Sequence, residues 1–238
     1  MEPEDRIILP LDVDNAYQAI HLVEQLKDHI GAFKVGLELV NAVGIGIFEK
    51  LRDAGARRIF YDAKLHDIPN TVAGGMCAIA RQELWMTNIH ACGGSRMICA
   101  AADALRDTSS QIGCKPPILL GVTLLTSLSW EELKDELHIG LPVIDYVTSM
   151  ARMVKDSGGK GVVASPHEIE AIREVCGPDF LIVTPGVRPA GSEAGDQRRT
   201  MTPGDAVRRG ADYLVIGRPI TAAPDPVAAT LKIQEEIA

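Results

Sequence analysis

Two carboxylates and an ammonium, Asp62, Lys64 and Asp67, stand within six consecutive positions directly after the apolar run Ile59-Phe60-Tyr61. The apolar run reads as a buried strand. Side chains at i and i+2 of a strand share a face, so Asp62 and Lys64 are expected to project side by side. Asp67 falls beyond the expected strand end, and Pro69 holds off any helix until Asn70 or Thr71 can cap one. Burying unpaired ions is costly, so alternating charge at the end of a core strand needs a reason. Perturbed charges of this kind mark sites of chemistry in some proteins and structural ion pairs in others, and a salt-bridged loop between strand and helix satisfies the same pattern. A divalent cation could use Asp62 and Asp67. Lys64 between them competes for their charge, and no histidine–carboxylate cluster completes an oxygen site, so no metal is expected.

The elements that must position these groups follow from hydrophobic periodicity. Strands are expected at Ile7–Leu11, Ala32–Val35, Arg57–Asp62, Trp85–His90, Pro117–Val122, Gly161–Ala164, Phe180–Val183 and Tyr213–Ile216. Between them run helical patterns: Ala16, Ile20, Val23 and Leu26; then Val40, Val43, Ile47 and Leu51 up to Gly55; then Val72, Met76 and Ile79. Further patterns are Ile98, Ala101 and Leu105, a helix from Pro142, one around Glu168 to Val175, and a last one after Pro224-Asp225-Pro226. Eight apolar strands alternating with helices point to a single (β/α)8 barrel, a TIM barrel, spanning residues 1–238. A doubly wound open sheet is the competing architecture, but it uses fewer strands per domain of this length.

In such a barrel the active site lies at the carboxyl ends of the strands. Those positions hold Asp12, Lys34, Asp62 with Lys64, His90, Thr123 to Thr126, Ser165 and the segment from Thr184 onward. A single histidine with no visible partner reads as structural, and His66 has no assignable direction. The stretch from Thr184-Pro185-Gly186-Val187-Arg188-Pro189 to Arg199 is long for a connection after a barrel strand, where about two to six residues are usual. It reads as a loop that closes over a site, or as surface loop. The last strand ends in Ile216-Gly217-Arg218-Pro219, where backbone amides and a bidentate cation suit a phosphate group. Neither GxGxxG after the first strand nor GxxxxGK[ST] occurs, so both nucleotide fingerprints are missing.

The 24 basic and 32 acidic residues give a net charge of −8, which argues against a nucleic-acid surface. Five cysteines, without a CxxC pair or zinc spacing, are expected as reduced thiols, with Cys77 and Cys99 in helical patterns where small buried residues belong. The acidic start Met1-Glu2-Pro3-Glu4-Asp5 is unlike a signal peptide, and no apolar run reaches membrane-spanning length, so a cytoplasmic protein without membrane contact is expected.

The stretch Asp62-Ala63-Lys64-Leu65-His66-Asp67-Ile68-Pro69-Asn70-Thr71 closely resembles the signature of the orotidine 5′-monophosphate decarboxylase family. The resemblance covers essentially the whole chain, through Leu11-Asp12, Phe33-Lys34-Val35-Gly36, Asn88-Ile89-His90-Ala91, Gly93-Gly94, Val122-Thr123-Leu124-Leu125-Thr126-Ser127, Thr184 to Pro189, Asp196-Gln197-Arg198 and Ile216 to Pro219. It implies cofactor-free decarboxylation of orotidine 5′-monophosphate to uridine 5′-monophosphate, the last step of pyrimidine nucleotide synthesis. With no cofactor as electron sink, the carbanion at C6 must be stabilised electrostatically in a preorganised site. The resemblance makes Lys34, Asp62, Lys64 and Asp67 an alternating charged array. In it Lys64 is the proton donor to C6, and Asp62 sits beside the departing carboxylate. It further implies a homodimer in which Asp67, Ile68 and Thr71 enter the neighbouring subunit's site. Asp12 and Lys34 would hold ribose hydroxyls, Thr126 and Pro185 would line the base pocket, and Gln197 would bridge base and phosphate. Arg218 with the Gly217 amide would grip the phosphate, and Arg188 is another ligand contact.

Two rivals remain open to the sequence. Related barrels acting on sugar phosphates, such as keto-gulonate phosphate decarboxylase or hexulose phosphate synthase, share an Asp-x-Lys-x-x-Asp core but use magnesium with an added acidic ligand. Ile68-Pro69-Asn70-Thr71 and Gln197 favour the nucleotide enzyme. A non-catalytic sensor of phosphate ligands on the same barrel is the other, and retention of all four charged positions speaks against it.

Overall fold

Eight short strands form one closed parallel sheet: β1 (Ile7–Pro10), β2 (Ala32–Val35), β3 (Ile59–Leu65), β4 (Met86–His90), β5 (Ile118–Val122), β6 (Gly161–Val163), β7 (Leu181–Thr184) and β8 (Tyr213–Val215). Each strand pairs with the next, and Ile7 and Ile8 of β1 pair with Leu214 and Val215 of β8, which closes the barrel and excludes an open sheet. The computed structural model describes residues 1–189 and 201–238. Helices cover the outside, the longest being Ser95–Ile112 and Val143–Asp156. Among the described residues no helix is long and apolar enough to cross a membrane.

Alternation along the strands builds the interior in layers. Ile8, Ala32, Phe60, Met86, Leu120, Val183 and Tyr213 form one buried apolar cluster inside the barrel. Two residues further along each strand come Pro10, Lys34, Asp62, Asn88, Val122, Pro185 and Val215. The lower layer is hydrocarbon, so the barrel is plugged beneath that second layer. At the amino-terminal end Trp85 meets Tyr213 edge to face at 5.1 Å, and the Arg58 guanidinium lies 5.0 Å over the Trp85 ring while bonding to Asp5 and to the Gly31 carbonyl.

Several boundaries differ from expectation. The pattern Val40 to Leu51 is two helices, Leu37–Val43 and Ile47–Asp53, because Gly44 takes φ 79° and breaks the first well before Gly55. Pro69 does not delay its helix: it occupies the first helical position of Pro69–Ala80, where its missing N–H costs nothing, with Ile68 as the preceding residue. Expected strand ends at Leu11, Ala164 and Ile216 lie one residue beyond the observed ones, whereas β3 starts two residues later than expected and runs on to Leu65. The short helices Pro203–Arg208 and Arg218–Thr221 carry too little periodicity to be read from sequence. Cys99 is exposed rather than buried, because Met97, Ile98, Ala101 and Leu105 define the inner face of its helix; Cys77 is half-buried, and Cys176 is the buried thiol. None of the five cysteines is in a disulfide.

Candidate active site

The second interior layer changes character around the barrel. On β2 and β3 it carries Lys34 and Asp62, only 9% and 8% exposed, and on β4 the fully buried Asn88. A single oxygen, Asp62 Oδ2, lies 2.7 Å from Lys64 Nζ and 3.2 Å from Lys34 Nζ, and Lys34 also reaches Asp12 Oδ1 at 3.3 Å. The other oxygen, Asp62 Oδ1, accepts a hydrogen bond from Asn88 Nδ2 at 2.7 Å. Burial pushes the Asp62 carboxyl up, but Lys34, Lys64 and the hydrogen bonds from Lys64 and Asn88 together outweigh it and hold the group below its ordinary value. The result is an ionised, nearly water-free carboxylate between two ammonium groups.

The adjacency of Asp62 and Lys64 is not that of a flat strand. The register of β3 on β4 shifts between Tyr61 and Leu65, and Lys64 takes φ 47°, in the left-handed region. Such backbone costs a non-glycine residue about 1–3 kcal/mol. The turned Lys64 N–H donates to Asn88 Oδ1 at 2.7 Å, which offsets part of that cost.

These groups line one side of a cavity of about 540 Å³ at the carboxyl ends of the strands. Pro10, Asp12, Lys34, Phe60, Asp62 and Lys64 form that side, Val122, Leu124, Leu125, Thr126 and Val163 the facing wall, and Pro185, Arg188, Val215, Gly217 and Arg218 the remainder. A Cβ on Gly217 would stand 2.9 Å from Pro10 Cγ, so only glycine brings this backbone so close to β1. Arg218 follows as the first residue of its short helix.

Asp12, Lys34, Asp62, Lys64, Thr126, Pro185, Arg188, Gly217 and Arg218, all singled out from sequence, therefore converge on one cavity. Asp67, Ile68 and Thr71 do not line it; they stand exposed after β3, Ile68 at 66%, and Asp67 Oδ1 accepts from the Ile68 N–H at 2.6 Å. Gln197 lies outside the described residues. Thr123, Ser165 and Thr184 are buried but not in the cavity wall, and Thr123 Oγ1 bonds instead to the Val163 carbonyl at 3.3 Å. His90 pairs with the His66 ring at 5.7 Å; burial, then His66 and Lys64, push it below the ordinary histidine value, so it favours the neutral ring. Sequence reasoning passed over Asn88 and the apolar wall. Their signal was parity, since Asn88 is two residues beyond Met86 just as Asp62 is two beyond Phe60.

The profile of the orotidine 5′-phosphate decarboxylase / HUMPS family matches residues 5–233. An orotidine 5′-phosphate decarboxylase from Moorella thermoacetica is 51% identical over 237 residues, covering 100% of this chain and 94% of the relative. One from Syntrophomonas wolfei is 48% identical over 238 residues, covering 100% and 99%. Among solved structures, an orotidine 5′-phosphate decarboxylase from Lactobacillus acidophilus superposes with a TM-score of 0.85 at 42% identity, covering 97% of this chain and 98% of that one.

Proposed function

The chain belongs to the orotidine 5′-phosphate decarboxylase / HUMPS family and decarboxylates orotidine 5′-monophosphate in pyrimidine nucleotide biosynthesis, and we propose that it does so without a cofactor, through the charged array centred on Asp62. The observation that carries this mechanism is the pair of ammonium groups, Lys64 and Lys34, held at 2.7 and 3.2 Å from one buried carboxylate oxygen.

In this reading the substrate carboxylate enters beside Asp62. The C6–carboxylate bond breaks, carbon dioxide leaves, and the electron pair stays on C6. The Lys64 ammonium lies against that carbon, stabilises the pair and transfers a proton to it, giving uridine 5′-monophosphate; Lys64 then regains a proton from solvent. The array is already assembled, with Asp62 and Lys34 largely withdrawn from water, so little reorganisation is needed as charge develops. Like-charge repulsion between Asp62 and the substrate carboxylate is relieved as carbon dioxide departs. Lys34 holds Asp62 in place and, with Asp12, binds ribose hydroxyls. Thr126 and Pro185 flank the base. Arg218 and the Gly217 amide bind the phosphate with Arg188 nearby, and Gln197 bridges base and phosphate. Binding energy from the remote phosphate is thereby used at the reacting end.

Asp67, Ile68 and Thr71 act across a homodimer interface in this reading. Their exposure outside the chain's own cavity, an isoleucine included, supports that assignment. The chain works as one cytoplasmic barrel domain of residues 1–238, with no nucleic-acid or membrane partner.

The decisive assay follows the absorbance of orotidine 5′-monophosphate mixed with purified protein in excess chelator. Conversion to uridine 5′-monophosphate is expected. A folded protein that converts none, with or without magnesium, would refute the reading.

A further inference from the structure

We propose that Asn88 is a positioning residue for the reaction, a two-ended clamp that sets both the Asp62 carboxylate and the Lys64 backbone in their working geometry. The inference rests on the reading of Asp62 and Lys64 given above. Asn88 is completely buried on β4, touches neither cavity nor solvent, and spends its side chain on these two neighbours: Nδ2 donates to Asp62 Oδ1, and Oδ1 accepts from the Lys64 N–H, each at 2.7 Å.

The two ends demand opposite polarity. Toward the carboxylate only a donor serves, and toward the N–H only an acceptor. A carboxylate would repel Asp62, a hydroxyl is too short to span both, and an aliphatic side chain would leave an N–H and a carboxylate oxygen without partners in a buried place. The clamp also acts where the backbone is strained. Lys64 at φ 47° has left the regular ladder of β3 on β4, and Asn88 supplies from the neighbouring strand the acceptor that the shifted register withholds. Without it Lys64 can relax to extended backbone, which swings Nζ away from Asp62. A displacement of about 1 Å in such a group can lower turnover on the order of 10²-fold.

A diagnostic variant follows from the same polarity. In Asn88→Asp, the introduced side chain reproduces the amide only while it carries a proton: its O–H donates to Asp62 and its carbonyl accepts from Lys64. Two carboxyl groups in contact share a proton and hold it to higher pH than either alone. The other ionisable groups around the position are Lys64 on β3, Lys34 on β2 and His90 at the end of β4; Leu120 and Val122 on the β5 side carry none. Below the pH at which the shared proton leaves, the clamp is intact, and above it the two anions repel.

The experiment measures kcat and its pH profile for the parent, Asn88→Ala, Asn88→Asp and Lys64→Ala, with the affinity for uridine 5′-monophosphate as a control for the distant phosphate grip. We expect kcat of Asn88→Ala to fall by about 10²-fold with product affinity retained. The Asn88→Asp variant should gain activity relative to the parent as pH falls, which a merely structural role would not produce. If Asn88→Ala fails to fold, the Asn88→Asp profile decides alone. An Asn88→Asp profile parallel to the parent's, or parental kcat in folded Asn88→Ala beside an inactive Lys64→Ala, would overturn the inference. Turnover retained by Lys64→Ala would instead remove the reading on which it rests.

Discussion

Removing the charge of Asp62 while keeping its shape should expose how the array is held together. In Asp62→Asn the two ammonium groups that shared Oδ2, at 2.7 and 3.2 Å, lose their common counter-ion. Sharing one oxygen places them within about 6 Å of each other, where two like charges at an effective dielectric of about 20 repel by about 3 kcal/mol, a repulsion that Asp62 outweighs in the parent and that the substitution leaves uncompensated. The stability lost is the attraction to Asp62, roughly the 3–5 kcal/mol that deleting one partner of a buried ion pair costs. For a chain of this size that corresponds to a fall in Tm of roughly 6–20 °C. If repulsion is the cause, adding Lys34→Met to Asp62→Asn should restore most of the loss, because it removes one ammonium and leaves hydrocarbon in its place. Urea unfolding of the parent, both single variants and the double variant forms the required cycle. A double variant no more stable than Asp62→Asn would refute the electrostatic account. Both variants carrying Asp62→Asn are expected to be inactive.

Lys64→Ala should nearly abolish turnover while the protein still folds, at some cost in stability because the buried Asp62 carboxylate loses its 2.7 Å partner; substantial residual decarboxylation would end its assignment as proton donor. Arg218→Ala should lower kcat/KM by about 10- to 150-fold, the equivalent of one charge-assisted contact worth about 1.5–3 kcal/mol, mainly through a raised KM, and steady-state kinetics would detect the failure of that assignment as unchanged constants. Arg173 lies away from the cavity, where it bonds to Asp212 at 2.5 Å and to the carbonyls of Gly177, Pro178, Phe180 and Gly210. Arg173→Ala should therefore cost about 3–5 kcal/mol in chemical denaturation with kcat of the folded fraction intact, and a lowered kcat at full folding would contradict that separation.

The sequence carried the barrel because its evidence is redundant: eight apolar runs, each bounded by polar residues, leave few other ways to bury them. Charged positions were legible because Lys34, Asp62 and Lys64 stand where hydrocarbon would otherwise continue. Local backbone geometry was less so. Gly44 and Gly55 both take positive φ and each follows the end of a helix, so the single helical pattern running up to Gly55 is interrupted at Gly44 as well. The i/i+2 rule placed Lys64 beside Asp62, but through a regular strand; the bulge that does so depends on Asn88, a contact 24 residues away in sequence. Asn88 lies in a stretch that resembles the family, Asn88-Ile89-His90-Ala91, but nothing in that stretch links it to Asp62 or Lys64. It becomes visible only once β4 is placed beside β3 and its inward residues are counted from Met86.

The layered interior divides the cavity mouth into two unlike halves, with Lys34, Asp62 and Lys64 on one flank and Val122, Leu124 and Val163 on the other. A flat heterocycle lying across it has one edge among charges and the opposite edge against hydrocarbon. Turned over about its long axis, the same molecule would press its anionic substituent against valines and leave Lys64 facing a bare ring edge. Placing an ionised group there costs several kcal/mol. Regiochemistry is thus inherent in the circular order of the strands rather than in any single contact, and a ligand stripped of its ionic substituent is released from that constraint and free to bind in either sense.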